Sequence, residues 1–426
     1  MRSSALIPLV SWCLLLGGLR HAHAAPGDTI TVSVLTYGPG SSAFDKFGHQ
    51  AIRVRDTATR QDQVYNFGTY GFDSPALIPK FLMGRFQYWL SSRSYGASIR
   101  SYVRADRSIV EQVLNLTPAQ RAEVKQRLET NLLPENRYYA YDYYLDNCAT
   151  RPRDLIDAVI GGRLHEASRE PAPLTFRQHT QRLTSSNVPF YLALHMAMGP
   201  TIDRPIDRWE EMFLPEKVEQ ALRRVTVPGP TGEEPLVKSE NRIHVSARPP
   251  VPEAPPDWTS RFIVVGVLIG GFFAALGAAA KRNAVARVVF GSALALVGLV
   301  LGFFGFLFVF LWLCTDHTVA FRNENILQMA PWTLLLAAYG IGVARGRAPS
   351  IQKAFRVTAA AAGASLLGLL LEVAPWFSQD NAAFIALALP LWSGAAVGTW
   401  LLQEKSAKAS AQDPAQATAS TEGVSN

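Results

Sequence analysis

Cys148 is the residue of this chain whose type and setting offer the most chemistry. It sits in the run Tyr143-Tyr144-Leu145-Asp146-Asn147-Cys148-Ala149-Thr150-Arg151. Asp146 or Asn147 suits a helix N-cap. The helix expected over 148–159 then carries the thiol in its first turn, where the dipole and free N–H groups favour a thiolate. Arg151 and Arg153 add positive charge one turn on. Polar residues before the cysteine and arginines after it argue against the small apolar niche that a buried cysteine usually fills. A cysteine nucleophile needs a base, and the base needs an orienting partner. The N-terminal half offers His49, His165, His179 and His195. His49 follows Gly48 at the start of an expected strand. His165 falls in a basic, exposed stretch, and His195 lies in the apolar run YLALHMAM, the setting of a core histidine. Asn66 in VYNFG can fix the tautomer of His49 or serve as a turn residue. The other cysteines, Cys13 and Cys314, form no CxxC pair and no metal-type spacing with Cys148, so neither a disulfide framework nor a metal site is expected.

The elements that must position these residues read as α+β. Strands are expected over 30–36, 48–55 and 63–68, and further strands over 99–104 and 107–114. Thr117-Pro118, with Gln120 in the capping-box place, starts a helix that runs to about Leu132. The aromatic stretch 77–90 reads as helical. Its Phe81, Phe86, Tyr88 and Trp89 offer a route for an acyl chain, and Lys80 and Arg85 suit phosphate headgroups; an ordinary core helix is the rival reading.

The chain around them divides sharply. Its 426 residues are 18% charged and 48% hydrophobic, but residues 262–402 hold the long apolar runs. Residues 1–24 read as a secretory signal with an Ala22-His23-Ala24 cleavage site; an uncleaved anchor is the rival. An exported domain is expected over 25–225, a stiff Pro-rich linker over 226–258, five membrane helices over 259–403 and a disordered tail over 404–426. The spans are placed at 262–280, 288–313, 331–344, 357–374 and 382–402. Lys281, Arg282, Arg287, Arg345, Arg347, Lys353 and Arg356 then share one side with the tail, which the positive-inside rule makes cytoplasmic. The net charge of +7 does not point to nucleic acid, because the basic residues are scattered or flank apolar runs. The outer loop 314–330, with His317, Asn323 and Asn325, is polar for a segment between two spans. It is either a solvated loop or a rim that faces the exported domain. Glu372, near the end of the fourth span, is either interfacial or functional.

The segments FGHQAIRV, VYNFG and PENRYYAYDYYLDNCATRPRD, in this order, resemble the Lnb-type family of bacterial lipoprotein N-acyltransferases, and the five-span half with its DH…N.N outer loop is similar to that family's membrane domain. The resemblance implies a permuted papain-like periplasmic domain in which a strand His precedes a Cys at a helix start. It implies Cys148 as nucleophile, His49 as base and Asn66 as third member. Arg53, Asp146, Asn147, Arg151, His317, Asn323 and Asn325 become candidate substrate-binding positions. The implied activity moves an acyl chain from a phospholipid or lipoprotein to a lipoprotein N-terminal amine through a Cys thioester, at the bacterial inner membrane and without cofactor or metal. A cysteine hydrolase of envelope lipid or peptide bonds is the close alternative. A non-catalytic membrane-anchored binding module is the reading from another class.

Overall fold

The computed structural model describes residues 27–43, 45–71, 77–85 and 87–412. The expected signal segment and the end of the tail therefore lie outside the described residues.

The N-terminal half is built on one antiparallel sheet. Its strands are β1 (Ile30–Tyr37), β2 (His49–Asp56), β3 (Gln61–Thr69), β4 (Gln87–Ser94), β5 (Ile109–Leu114), β6 (Tyr138–Ala140) and, after a β7 (Thr226–Gly229) and β8 (Gly232–Pro235) hairpin, β9 (Val237–His244). The order across the sheet is β6-β4-β3-β2-β1-β5-β9. The period-2 alternation of β1 explains why both faces are covered. Val32 and Val34 point into the larger core, while Leu35 and Tyr37 point into the smaller one on the opposite face.

The helices of this half are α1 (Leu77–Leu82), α2 (Tyr95–Arg104), α3 (Pro118–Leu132), α4 (Thr150–Val159), α5 (Arg163–Glu166), α6 (Phe176–Thr184), α7 (Val188–Ala197), α8 (Arg208–Glu211) and α9 (Pro215–Leu222). Thr117 caps α3 in the expected capping box with Gln120. Val124 and Leu128 of α3, Ile156 of α4 and Val218 and Leu222 of α9 fill the larger core. Tyr95, Ile99 and Tyr102 of α2 close the smaller one.

Three expectations are corrected here. The stretch 77–90 is helical only over Leu77–Leu82, and from Gln87 it belongs to β4. Residues 99–104 are helical, because the apolar spacing Tyr95, Ile99, Tyr102 fits one face of a 3.6-residue period. Residues 226–244, expected within the linker, form β7 to β9, and β9 extends the sheet beside β5. The prolines that preclude pairing begin only at Pro249.

The C-terminal half is helical: α10 (Thr259–Ala280), α11 (Ala284–Cys314), α12 (Leu335–Ala344), α13 (Ala348–Leu371) and α14 (Ala382–Gln412). Among the described residues, α10, α11, α13 and α14 are long and apolar enough to cross a membrane. The expected third span is the shorter apolar segment Pro331–Ala344. It runs antiparallel along a glycine face of α11: Gly305 meets Met329, Gly302 meets Leu334 and Gly291 meets Ala344. Close approach of backbones at small residues is how membrane helices gain packing without a hydrophobic drive between them. A similar seam, Gly266, Gly270 and Gly277, sets α10 against α14.

The 31 residues of α11 extend about 46 Å at 1.5 Å per residue, against a hydrocarbon core of about 30 Å. Its last turns therefore rise to the level of the exported domain. The loop beyond is folded down, not solvated. The Glu324 carboxylate accepts from Ser378 N (3.1 Å) and Gln379 N (2.9 Å), and Trp392 Nε1 donates to the Gln328 carbonyl (3.0 Å).

Candidate functional site

His49 opens β2 and pairs with Tyr37 at the end of β1. Gly48 before it has φ of +81°, and a Cβ there would stand 2.9 Å from the Tyr37 carbonyl oxygen, so the FGH turn requires glycine. Asn66 sits on β3 where its pairing with β4 becomes irregular. Asn66 Nδ2 donates to the Val64 carbonyl (3.2 Å), which turns Oδ1 toward His49 Nε2 at 3.4 Å. An amide oxygen only accepts, so Nε2 carries the ring proton and Nδ1 is the basic nitrogen.

Cys148 stands two residues ahead of α4. Asn147 builds the turn that holds it: Oδ1 accepts from Ala149 N (2.7 Å) and Thr150 N (3.0 Å), and Nδ2 donates to the Tyr143 and Phe213 carbonyls. Gly68, at φ of +84°, lets the end of β3 approach Cys148; a Cβ there would lie 3.2 Å from Cys148 Cβ. The backbone N–H of Gln50, the residue after His49, hydrogen-bonds the thiol.

The electrostatics correct the expectation of a thiolate stabilised by the helix start. Burial pushes the Cys148 thiol up to about 11, outweighing the Gln50 N–H and the charge of Arg107, which both act downward. Burial, assisted by Arg107, pushes His49 down to about 4, against the hydrogen bond from Asn66. The resting pair is therefore a neutral thiol beside a neutral imidazole. Both groups keep some exposure, and both line one cavity.

The cavity encloses about 810 Å³. One wall carries His49, Asn66, Cys148 and the rings of Tyr88 and Tyr141. The other carries Phe190 and Leu194 of α7, Leu311 of α11 and Val319 of the outer loop. The site thus opens onto the upper end of a membrane helix.

His317 and Asn147 also line this cavity. Arg53 does not. Its guanidinium grips Asp62 (2.7 Å twice) and Glu111 (2.8 Å) and stacks on Tyr95 at 3.5 Å. Arg151 forms a two-pronged pair with Asp146 (2.6 and 2.7 Å) and covers the Tyr139 ring, away from the cavity wall. Asn323 and Asn325 are buried and both donate to the Met196 carbonyl at the end of α7 (2.9 and 3.0 Å). They fasten the loop to the exported domain. Tyr88 faces the cavity, whereas Trp89 leans on Tyr138, and Phe86 lies outside the described residues. His179 bonds Glu211 and His195 bonds Arg177 in buried networks apart from the cavity. No cluster of metal-ligating side chains occurs among the described residues.

Sequence reasoning missed Arg107, Arg93 and Tyr102, which line the same cavity. No motif flags them; Arg107 reaches the site because Asp106, at φ of +49°, turns the chain just before β5.

Fold and site together define a membrane protein whose N-terminal domain presents a sheltered Cys–His–Asn cavity at the head of a helical bundle. Residues 20–182 match the family model described as the Lnb N-terminal periplasmic domain. Over these residues the chain is similar to that periplasmic domain. Neither a curated protein nor a solved structure matches the chain.

Proposed function

We propose that the protein is a cysteine acyltransferase of the bacterial inner membrane that moves an acyl chain from a phospholipid, or from a neighbouring lipoprotein, to a lipoprotein N-terminal amine. The observation that carries this reading is the cavity shared by Cys148, His49 and Asn66 with the upper turn of α11, an apolar space contiguous with the place where acyl chains reside.

The chemistry follows from the neutral pair. As the Cys148 sulfur attacks the ester carbonyl, His49 Nδ1 takes the thiol proton. The tetrahedral adduct collapses to a thioester, and the departing alcohol takes that proton from His49. The acceptor amine then attacks the thioester, His49 accepts a proton from the nitrogen, and the thiol is regenerated as the amide forms. Asn66 holds the imidazole with Nδ1 unprotonated. Passage of the acyl group to water in place of an amine would make the same site a hydrolase; the apolar wall, which limits water, favours transfer.

The five passes through the bundle belong to the same proposal. They place the basic residues around 281–287 and 345–356 on the cytoplasmic side, so a reporter fused after Lys408 should read as cytoplasmic. The catalytic test is intact-mass analysis after incubation with phospholipid. An acyl-sized adduct, released by hydroxylamine and lost in Cys148→Ala, is expected. Unimpaired transfer by Cys148→Ala would overturn the assignment.

A further inference from the structure

The cavity carries more positive than negative charge. Its walls hold two guanidiniums, Arg93 and Arg107, against one carboxylate, Asp45. Arg107 is buried, with 4% of its surface exposed, and is fixed on three sides. Its Nε donates to the Gly38 carbonyl (2.7 Å), its Nη1 donates to Asp45 Oδ1 (2.7 Å), and its plane lies over Tyr102 at 4.9 Å. Nη2 is buried and has no hydrogen-bond partner among the described residues. A charged donor left without an acceptor is costly, and these three contacts already hold the side chain, so the fourth position asks for something that arrives with the substrate. Arg107 lines the same cavity as Cys148 and His49, and its charge acts downward on both groups. Arg93, by contrast, is exposed at the cavity mouth.

We propose that Arg107, assisted by Arg93 at the mouth, binds the phosphate of a phospholipid and so makes the anionic glycerophospholipid ester the acyl donor of this cavity. Only a few bonds separate the phosphorus of such a lipid from its ester carbonyl. An anion held by Nη2 therefore leaves the carbonyl within reach of Cys148 and the chain directed along Phe190, Leu194 and Leu311. A guanidinium suits phosphate oxygens through charge and fork geometry together. The inference rests on the acyltransferase reading for its purpose, but its test does not require turnover.

The test uses full-length Cys148→Ala protein in detergent, which cannot form the thioester. Binding of dihexanoylphosphatidylglycerol is compared with that of dihexanoylglycerol, which lacks the phosphate. The phospholipid should bind more tightly. Arg107→Gln should weaken phospholipid binding by about tenfold to a hundredfold, the range expected for one charge-assisted bond, and leave dihexanoylglycerol nearly unchanged. Arg93→Gln, an exposed change that does not threaten folding, should weaken the phospholipid alone by about two- to fivefold. Equal affinity for the two lipids in the parent, or equal losses for both lipids in either variant, would overturn the proposal. Inorganic phosphate bound as tightly as the phospholipid would assign the site to a free anion and also overturn it. If the selectivity holds while wild-type protein forms no acyl adduct, the acyltransferase reading fails and the anion site stands.

Discussion

The neutral resting pair has a consequence that a pH profile can read. For a thiolate–imidazolium pair, the acid limb of activity follows formation of the ion pair. On the proposed function, the form competent for acylation of Cys148 is neutral His49 beside a neutral thiol, and the acid limb of that half-reaction marks protonation of His49 alone. Burial and Arg107 lower that group to about 4 from the ordinary 6.5, so the limb in kcat/KM should fall near pH 4. At pH 5.5 about nine-tenths or more of the enzyme should be competent, whereas an unshifted histidine would leave only about one-tenth. No alkaline limb should come from the thiol until the pH approaches 11. The assay is release of the lyso-phospholipid on acylation of Cys148, which does not involve the acceptor amine, across about pH 3 to 9, with light scattering to check that the protein stays dispersed. An acid limb near 6.5, or activity that rises through pH 8 to 9 with thiol ionisation, would refute the neutral-pair mechanism.

Other substitutions probe the scaffold. Gly68→Ala places a methyl group 3.2 Å from Cys148 Cβ at a backbone φ of +84°. It should cost about 1–2 kcal/mol of stability and a disproportionate loss of kcat, read by comparing melting with turnover. Gly199→Ala puts a Cβ 2.1 Å from the Phe321 carbonyl oxygen and disturbs the Gly199 N to Val319 O bond of 2.8 Å. Overpacking and a lost buried bond predict about 2–4 kcal/mol, seen as a lower melting temperature and new protease cleavage in the loop 315–325. Glu211 is buried, which alone would raise it, yet bonds from His179 and Arg208 and the nearby Lys217 hold it down to about 2. Its contribution is therefore present above the ordinary carboxylate range and lost as pH falls toward 2. Glu211→Gln should destabilise by about 3 kcal/mol at pH 7, with the gap to wild type narrowing below pH 4.5.

The site was legible in the sequence to the extent that its geometry is local. Asn147 beside Cys148, and Gly48 beside His49, act through bonds to near neighbours, and residue type announces such roles. Arg107 acts across 62 residues on Asp45 and across 69 on Gly38; no local pattern carries that information. Helix α2 was hidden because β-branched and aromatic residues such as Tyr95, Ile99 and Tyr102 favour strands by propensity, and tertiary packing overrode it. Strand β9 was hidden by the prolines that follow it. The segment Pro331–Ala344 is apolar in sequence, but its seating on the glycine face of α11 depends on which side of a long helix is free of side chains. The polar loop 314–330 was noticed, and only its contacts explain it: Asn323 and Asn325 serve one carbonyl at Met196, in the other half of the chain.

That clasp also bears on the order in which the molecule is completed. Residues 27–244, with the nucleophile, leave the ribosome before Leu311, Val319 and Asn323, and N-terminal units generally fold first. For that interval the cavity lacks the part of its lining that Leu311, Val319 and Ala320 supply. Insertion of the helices and capture of Met196 by the two asparagines supply that part. A chain arrested before α11 would therefore carry Cys148, His49 and Asn66 without the part of the cavity lining that the membrane half supplies, and on the proposed function it would lack the shelter a thioester needs.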